Sequence, residues 1–457
     1  MVVAAAAPLT VIGGNMPLGI GLGNGAGAPV GFLLAACVLL VFSVGFVTMT
    51  PYVPEAGAFY SYVTKGLGKR PGMGIAFVAL VAYTAIQAGI YGYIGWAIDD
   101  TVRFYGGPSI PWPIYSVATL AIVAILGYRH IDLSAKVLGV ALALEIGVVF
   151  VLDAVILTNP GPDGITLAPF NPSVFTDGAL GVAVLFALTG FIGFESTAVF
   201  RDEARDPATT IPRATYIAVA LIGFFYALTV WMFVVADGLD GVVDNARRTL
   251  DGDGNMLLET TAMMLGTVGR DVVNVLLLTS LFACVLSFHN VITRYQFALS
   301  GGGYLPRWLH HVHPTHSSPA RSSIIQTITA TIILGIFAVF QVDPLVGVFG
   351  SMAGVATVGM MILLLTTTLA VIAFFLKNPQ LRAGRLWRTL LIPLVAVAGL
   401  LMSLWLVLSN FTLVTSGSVT LSTGLAIIPF VAFAVGMIYA GRVRVTSPAV
   451  PDATERT

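Results

Sequence analysis

Along this chain, long apolar runs alternate with short polar ones, and the apolar stretches repeatedly reach membrane-crossing length. "GVALALEIGVVFVLDAVILT" and "VGMMILLLTTTLAVIAFFL" approach or exceed the roughly 18 residues that mark a transmembrane helix. Twelve such spans are predicted, near 1–24, 28–50, 73–98, 113–128, 134–157, 178–200, 214–236, 271–299, 322–342, 345–376, 388–408 and 420–440. A membrane β-barrel would instead show alternation in segments of about ten residues, and none is present. The pattern predicts an all-α polytopic membrane protein.

Composition strengthens that reading. Of 457 residues, 57% are hydrophobic and 10% charged, against about 25% charged in soluble domains. The placement of charge is more informative than its net value of zero. With a cytoplasmic N-terminus, 18 of the 22 Lys and Arg residues fall on inside segments, leaving Arg103, Arg247, Arg248 and Arg270 outside. Retained positive charge fixes orientation, so both termini are expected in the cytoplasm, in the plasma membrane of what Arg-rich usage suggests is a bacterium. Cys37 and Cys284 lie in apolar runs, which argues against a disulfide or zinc framework. Met1 opens straight onto "MVVAAAAPLTVIGG" without a basic lead or a cleavage site, and the natural start is expected upstream.

Two spans differ from the rest. The first carries "PLTVIGGNMPLGIGLGNG" and the sixth "ALTGFIGFES". Glycine and proline weaken a helix, and broken backbone in lipid is tolerated only where it lines a protein cavity. If spans 1–5 and 6–10 are two repeats, these interruptions occupy matching positions, the arrangement that points to a transporter site at the midplane. Half-helix N-termini there suit a carboxylate; close helix packing is the plainer use of the same glycines.

Three carboxylates lie inside apolar spans: Glu145, Asp153 and Glu195. Each costs roughly 2.5 kcal/mol or more at a helix centre. Asp153 sits near the end of its span and is expected to reach interfacial water as a structural residue. Glu145 lies about eleven residues into the fifth span, where snorkelling is hard. Glu195 follows the Gly193 break, so it could take and release a proton at the cavity or cap the freed N–H groups. "RDEARDPATTIPRAT", with two prolines among charges, is predicted to be loop, either a charged gate or simply solvated.

The stretch "GFIGFESTAVFRDEARDPATTIPRA" (190–214) resembles the sixth-helix and following-loop signature of the amino acid–polyamine–organocation permease superfamily. "VPEAGAFYSYVTKGLG" (53–68), "GAGAP" (25–29) and "SFHNVITRYQFALSGGGYLPRWLHHVHPTHSSP" (287–319) agree with it. The resemblance implies an inverted five-plus-five helix fold with broken helices 1 and 6, moving amino acids or amines by alternating access. Residues 1–376 would be its core, in repeats of about 1–157 and 178–376, followed by helices 11–12 (377–440) and a tail (441–457). By position, Thr10, Gly13, Gly14 and Asn15 would hold substrate, with Phe191, Ile192, Gly193 and Phe194 on the unwound part of helix 6. Glu195 matches a family glutamate implicated in gating and proton sensing. Asn15 departs from the glycine found in many relatives. Where proton-coupled relatives often carry a helix-5 lysine, this chain has Glu145, able to bind a proton, a sodium ion or a substrate ammonium; protons are the preferred expectation. Sodium would also want helix-8 hydroxyls, for which Thr279, Ser280 and Ser287 are available.

Other signals are weaker. "HHVHPTH" (310–316) reads as the family loop before a metal site, and "DGDGN" (251–255) lacks the Gly and Glu of a calcium loop. His289 is expected to be hydrogen-bonded packing. No nucleophile–base motif or phosphate loop is seen, so an enzyme is not expected, nor a cofactor, a metal or nucleic acid. The expected partners are the bilayer, a small amino acid or amine and a coupling proton. A polyamine permease and a non-transporting nutrient sensor are the alternatives.

Overall fold

The computed structural model describes residues 7–53, 58–129, 135–194, 207–315, 318–415 and 418–442. Every regular element among them is helical. Among the described residues, nine helical runs are long and apolar enough to cross a membrane. One of these, Pro8–Tyr52, is divided at Gly23 and Gly25 by non-helical backbone. With the shorter apolar helices Trp112–Tyr128 and Leu180–Thr189, the set matches the twelve expected spans. In chain order the spans are α1 (8–24), α2 (Ala28–Met49), α3 (Lys69–Phe104), α4 (Trp112–Tyr128), α5 (Ala135–Thr158) and α6 (Leu180–Thr189). They continue as α7 (Pro207–Asp237), α8 (267–301), α9 (Ala320–Val339), α10 (Pro344–Lys377), α11 (Trp387–Ser409) and α12 (Val419–Arg442).

Burial sorts the helices into layers. The apolar windows of α3 and α10 are each 78% buried, whereas that of α12 is 17% buried. The exposed faces of α5, α9, α11 and α12 carry Leu, Ile, Val and Phe, as lipid rather than water requires. Although α12 is peripheral, it is locked to α3 through glycine. A Cβ on Gly436 would come within 2.6 Å of the Met73 carbonyl oxygen and 2.8 Å of the Gly74 Cα, so the two backbones touch where both residues lack side chains.

The interruption of α1 takes a particular form. Ala7 has left-handed backbone (φ 35°, ψ 71°), uncommon for a residue with a Cβ. The chain then runs through two π-helical segments, Val11–Asn15 and Ile20–Asn24. In the first, the Met16 N–H bonds the Val11 carbonyl five residues back. Pro17 has no N–H to return to Gly13, so the tighter α-pattern is unavailable there. Gly13, Gly14 and Asn15 are thus widened helix rather than an extended segment.

In α6 the interruption is sharper. The α-helix stops at Thr189, residues 190–194 form successive turns, and Gly193 has φ +110°. The Phe191 and Ile192 N–H groups bond the carbonyls of Leu188 and Thr189 three residues back, the tightening usual at a helix end. The first helical part of the sixth span therefore ends at Thr189, and residues 195–200 of the expected 178–200 lie outside the described residues. The segment expected to be loop needs correction too: α7 begins at Pro207 and carries Pro212 within it. Proline suits the first helical position, and Pro212 costs one backbone bond near an end where several N–H groups lack partners anyway.

Candidate functional site

The interruptions of α1 and α6 border one cleft of about 320 Å³, part of it open to solvent. From α1 and the residue before it come Ala7, Thr10, Val11 and Asn15, and from the end of α6 and the turns after it Thr189, Gly190 and Ile192. Helix α3 adds Ile86 and Ile90, α8 adds Cys284 and Phe288, and α10 adds Phe349. Three predicted residues, Thr10, Asn15 and Ile192, thus meet at one cavity. The apolar contributions of α3, α8 and α10 had no distinguishing mark in the sequence.

Polar side chains in the lining are already engaged. Asn15 Nδ2 donates to the Phe186 carbonyl (2.9 Å), joining α1 to α6. The Thr189 hydroxyl donates to Leu185 O (2.8 Å) and shares a 2.6 Å hydrogen bond with Thr357 of α10. What the two interrupted helices leave irregular is their main chain, where N–H and C=O groups lack the regular i→i−4 ladder.

Gly13 and Gly14 are not in the cavity lining. The Tyr93 hydroxyl occupies the space where a Gly13 side chain would begin. A Cβ on Gly14 would lie 2.8 Å from Tyr93 Cε1 and 2.9 Å from Phe349 Cε1. The two rings stand 5.2 Å apart between centroids, so the glycine pair lets an aromatic pair lie directly on α1. Phe191 and Phe194 are buried (2% exposed each) and are also directed elsewhere. The Phe191 ring reaches toward Gly223 of α7, and Phe194 meets Phe42 of α2 edge-on at 6.2 Å. Gly193 supplies the positive φ between Phe191 and Phe194. Glu195 lies outside the described residues.

Behind the cavity sits Glu145, 4% exposed. Its Oε2 accepts from the Ser280 hydroxyl (2.8 Å) and from the Leu9 N–H (3.3 Å). The Thr10 hydroxyl lies 3.4 Å from Ser280 Oγ. A hydrogen-bonded series therefore runs from the cavity wall at Thr10 through Ser280 to Glu145, joining α1, α8 and α5. Among the described residues no ion pair reaches this carboxylate. Of the three hydroxyls considered on α8, Ser280 is the one at this position; Thr279 bonds its own helix.

Asp153 does not reach water. It is 3% exposed, and Oδ2 accepts from the Thr229 hydroxyl of α7 at 2.9 Å. The end of a span is interfacial only where no neighbouring helix covers it, and here α7 does. His289 is packed as expected, with Nε2 2.9 Å from Ser323 Oγ. In the histidine-rich loop, His310 stacks on Phe297 at 4.0 Å. Cys284 is a free, buried thiol.

A polytopic helical bundle, two interrupted helices facing one cleft and a buried carboxylate tied to its wall together define a membrane transporter rather than an enzyme. The sequence comparison makes the class specific: a family model described as amino acid permease matches residues 1–442, and the chain belongs to that family. It is 23% identical to the methylthioribose transporter of Bacillus subtilis (strain 168), over 88% of this chain and 87% of that protein. The branched-chain amino acid permease BcaP of the same organism is 24% identical over 68% of this chain and 70% of its own length. Its serine/threonine exchanger SteT is also 24% identical, covering 63% and 64%.

Proposed function

We propose that this permease carries amino acids across the plasma membrane by alternating access and that Glu145 is its proton-coupling group. The observation that supports this reading is the Thr10–Ser280–Glu145 series. A carboxylate withdrawn from water is costly when charged, and taking up a proton removes that cost. Ser280 and the Leu9 N–H then meet a changed acceptor, and both belong to helices that frame the cavity. Occupancy of the cavity and protonation of Glu145 bias the same two elements, which is the requirement for coupling.

In this scheme α1–α5 and α6–α10 are the two inverted repeats, both termini face the cytoplasm, and substrate sits at the α1/α6 interruptions. Thr10 and Asn15 position it, with the irregular backbone of α1 and α6 supplying its polar contacts. Gly13, Gly14, Phe191 and Phe194 support the site by packing, and Glu195 contributes to the gate. Amino acid cargo also agrees with the branched-chain amino acid permease and the serine/threonine exchanger among its relatives.

The test is accumulation of labelled amino acids in proteoliposomes under an imposed pH gradient. Uptake above equilibrium that collapses when the gradient is dissipated supports the reading. Accumulation following a sodium gradient and ignoring protons removes the ion assignment, and transport of amines with no amino acid removes the cargo.

A further inference from the structure

Helix α2 carries α7 on one side and α11 on the other. A Cβ on Gly223 of α7 would lie 2.4 Å from Ala36 Cβ, and one on Gly45 would lie 3.0 Å from Pro393 Cγ of α11. Gly399 of α11 approaches Val38 in the same way. At about 100° per residue, one arc of α2 between these two contacts holds Leu39, Phe42 and Phe46, each 1% exposed. The other arc holds Leu33 (38% exposed), the exposed Cys37 and the half-buried Val41. Ile217 and Phe224 of α7 and Val395 and Met402 of α11 are exposed as well. A lipid-facing groove therefore runs along α2 between α7 and α11.

The end of this groove beside the α10–α11 connection is cationic. Arg385 and Arg388 stand at the start of α11, and Arg213 and Tyr216 lie one turn apart near the start of α7. The Arg385 carbonyl accepts the Arg388 and Thr389 N–H groups (3.1 Å each) and the Thr389 hydroxyl (2.9 Å). The buried Thr389 thus holds both arginines within a single turn. Arg388 is near enough to Tyr216 for its charge to act on the phenol, so the two walls meet at this end. Arg213, Arg385 and Arg388 are exposed, and among the described residues no ion pair engages any of them. Trp387, between the α11 arginines, is 70% exposed, as suits an aromatic ring at the headgroup level.

We infer that this groove binds an anionic phospholipid, its phosphate held by Arg385 and Arg388 with Arg213 and Tyr216 opposite, and an acyl chain lying on α2. A guanidinium fork matches phosphate oxygens in pairs, and the phenol adds a hydroxyl donor. An apolar peptide or a second copy of this groove would leave three arginines without a counter-charge. In the orientation proposed above the lipid belongs to the cytoplasmic leaflet; the site itself depends neither on that orientation nor on the cargo.

Native mass spectrometry of the full-length protein, titrated with phosphatidylglycerol or phosphatidylcholine of identical acyl chains, tests the inference. Phosphatidylglycerol should bind at least ~10-fold more tightly. Arg385→Gln and Arg388→Gln should each weaken it about fivefold, and Arg388→Lys should lose less than Arg388→Gln because the charge stays. Arg307→Gln removes an exposed charge beside α8 and α9 and should leave binding unchanged. Equal affinity for the two lipids, or an equal loss with Arg307→Gln, would overturn the site. Displacement of the lipid by equimolar inorganic phosphate would do the same, by showing a site for the free anion. Location is read from a bimane fluorophore on Cys37, the exposed one of the two cysteines, with the protein in nanodiscs. Phosphatidylglycerol with brominated chains should quench it at about fivefold lower mole fraction than brominated phosphatidylcholine, and the double Arg385→Gln/Arg388→Gln variant should erase the difference. Equal quenching by both lipids in the wild-type protein would place the anionic lipid outside the groove.

Discussion

Replacing Glu145 with glutamine keeps the shape of the side chain and removes its charge. Both hydrogen bonds to Glu145 fall on Oε2, from Ser280 at 2.8 Å and Leu9 N at 3.3 Å, and an amide oxygen can accept both. Their conversion from charged to neutral acceptors loses about 1–3 kcal/mol in total. Removal of a charge worth roughly 2.5 kcal/mol or more in the bilayer interior offsets that loss. Stability should therefore change by no more than about 2 kcal/mol, and Glu145→Gln should fold. Transport should change in kind. With the membrane potential clamped at zero, one proton per substrate is worth 1.36 kcal/mol per pH unit, or about tenfold accumulation. The wild-type protein should reach about tenfold inside over outside for each unit of imposed gradient. Glu145→Gln should equilibrate without accumulating, yet retain counterflow within a few-fold of wild type. A variant that still concentrates substrate about tenfold would refute the coupling role. One that loses counterflow and accumulation together would place Glu145 in substrate binding or folding.

Three further outcomes follow from the same geometry, and a fourth from the sequence alone. Gly14→Ala places a Cβ 2.8–2.9 Å from the Tyr93 and Phe349 rings and should cost about 1–3 kcal/mol. Phe349→Leu should recover part of this in a double-mutant cycle of detergent melting curves. Gly193→Ala forces a Cβ onto φ +110°; a loss of about 1–2 kcal/mol with a sharp fall in counterflow is expected, and wild-type melting would show that the turn relaxes. Thr229→Val leaves Asp153 buried without its hydroxyl donor and should destabilise by about 1–3 kcal/mol, whereas Asp153→Asn should leave gradient-driven accumulation at wild-type levels. Glu195→Gln should alter the rate of uptake and its pH dependence; an unchanged profile would remove Glu195 from the gate.

The hydropathy pattern located the spans because lipid demands long apolar runs, and it singled out Glu145 because a carboxylate there is conspicuous. It could not show that Ser280 would be the partner of Glu145, since many hydroxyls on membrane helices bond their own backbone, as Thr279 does. The apolar wall was equally hidden. Cys284 and Phe288 face the cavity while Val275 of the same helix is 61% exposed; both faces are apolar, so no amphipathic contrast separates them. Asp153 was misjudged because distance along a helix says nothing about which neighbour covers it. The prolines at 207 and 212 suggested loop, but Pro207 opens the helix, where its missing N–H is a small loss, and Pro212 inside it costs one backbone bond that the rest of α7 outweighs.

The contact between Gly74 and Gly436 has a practical meaning for measuring motion. With backbone against backbone, α12 cannot slide along α3 without opening a gap that no side chain fills. The outer helix must therefore follow the inner one, and α3 is the helix that brings Ile86 and Ile90 to the cavity. Val435 and Ile438 of α12 are 47% and 59% exposed, so a spin label or fluorophore there stands clear of the substrate. Such a probe would report the displacement of the cavity wall from the lipid side.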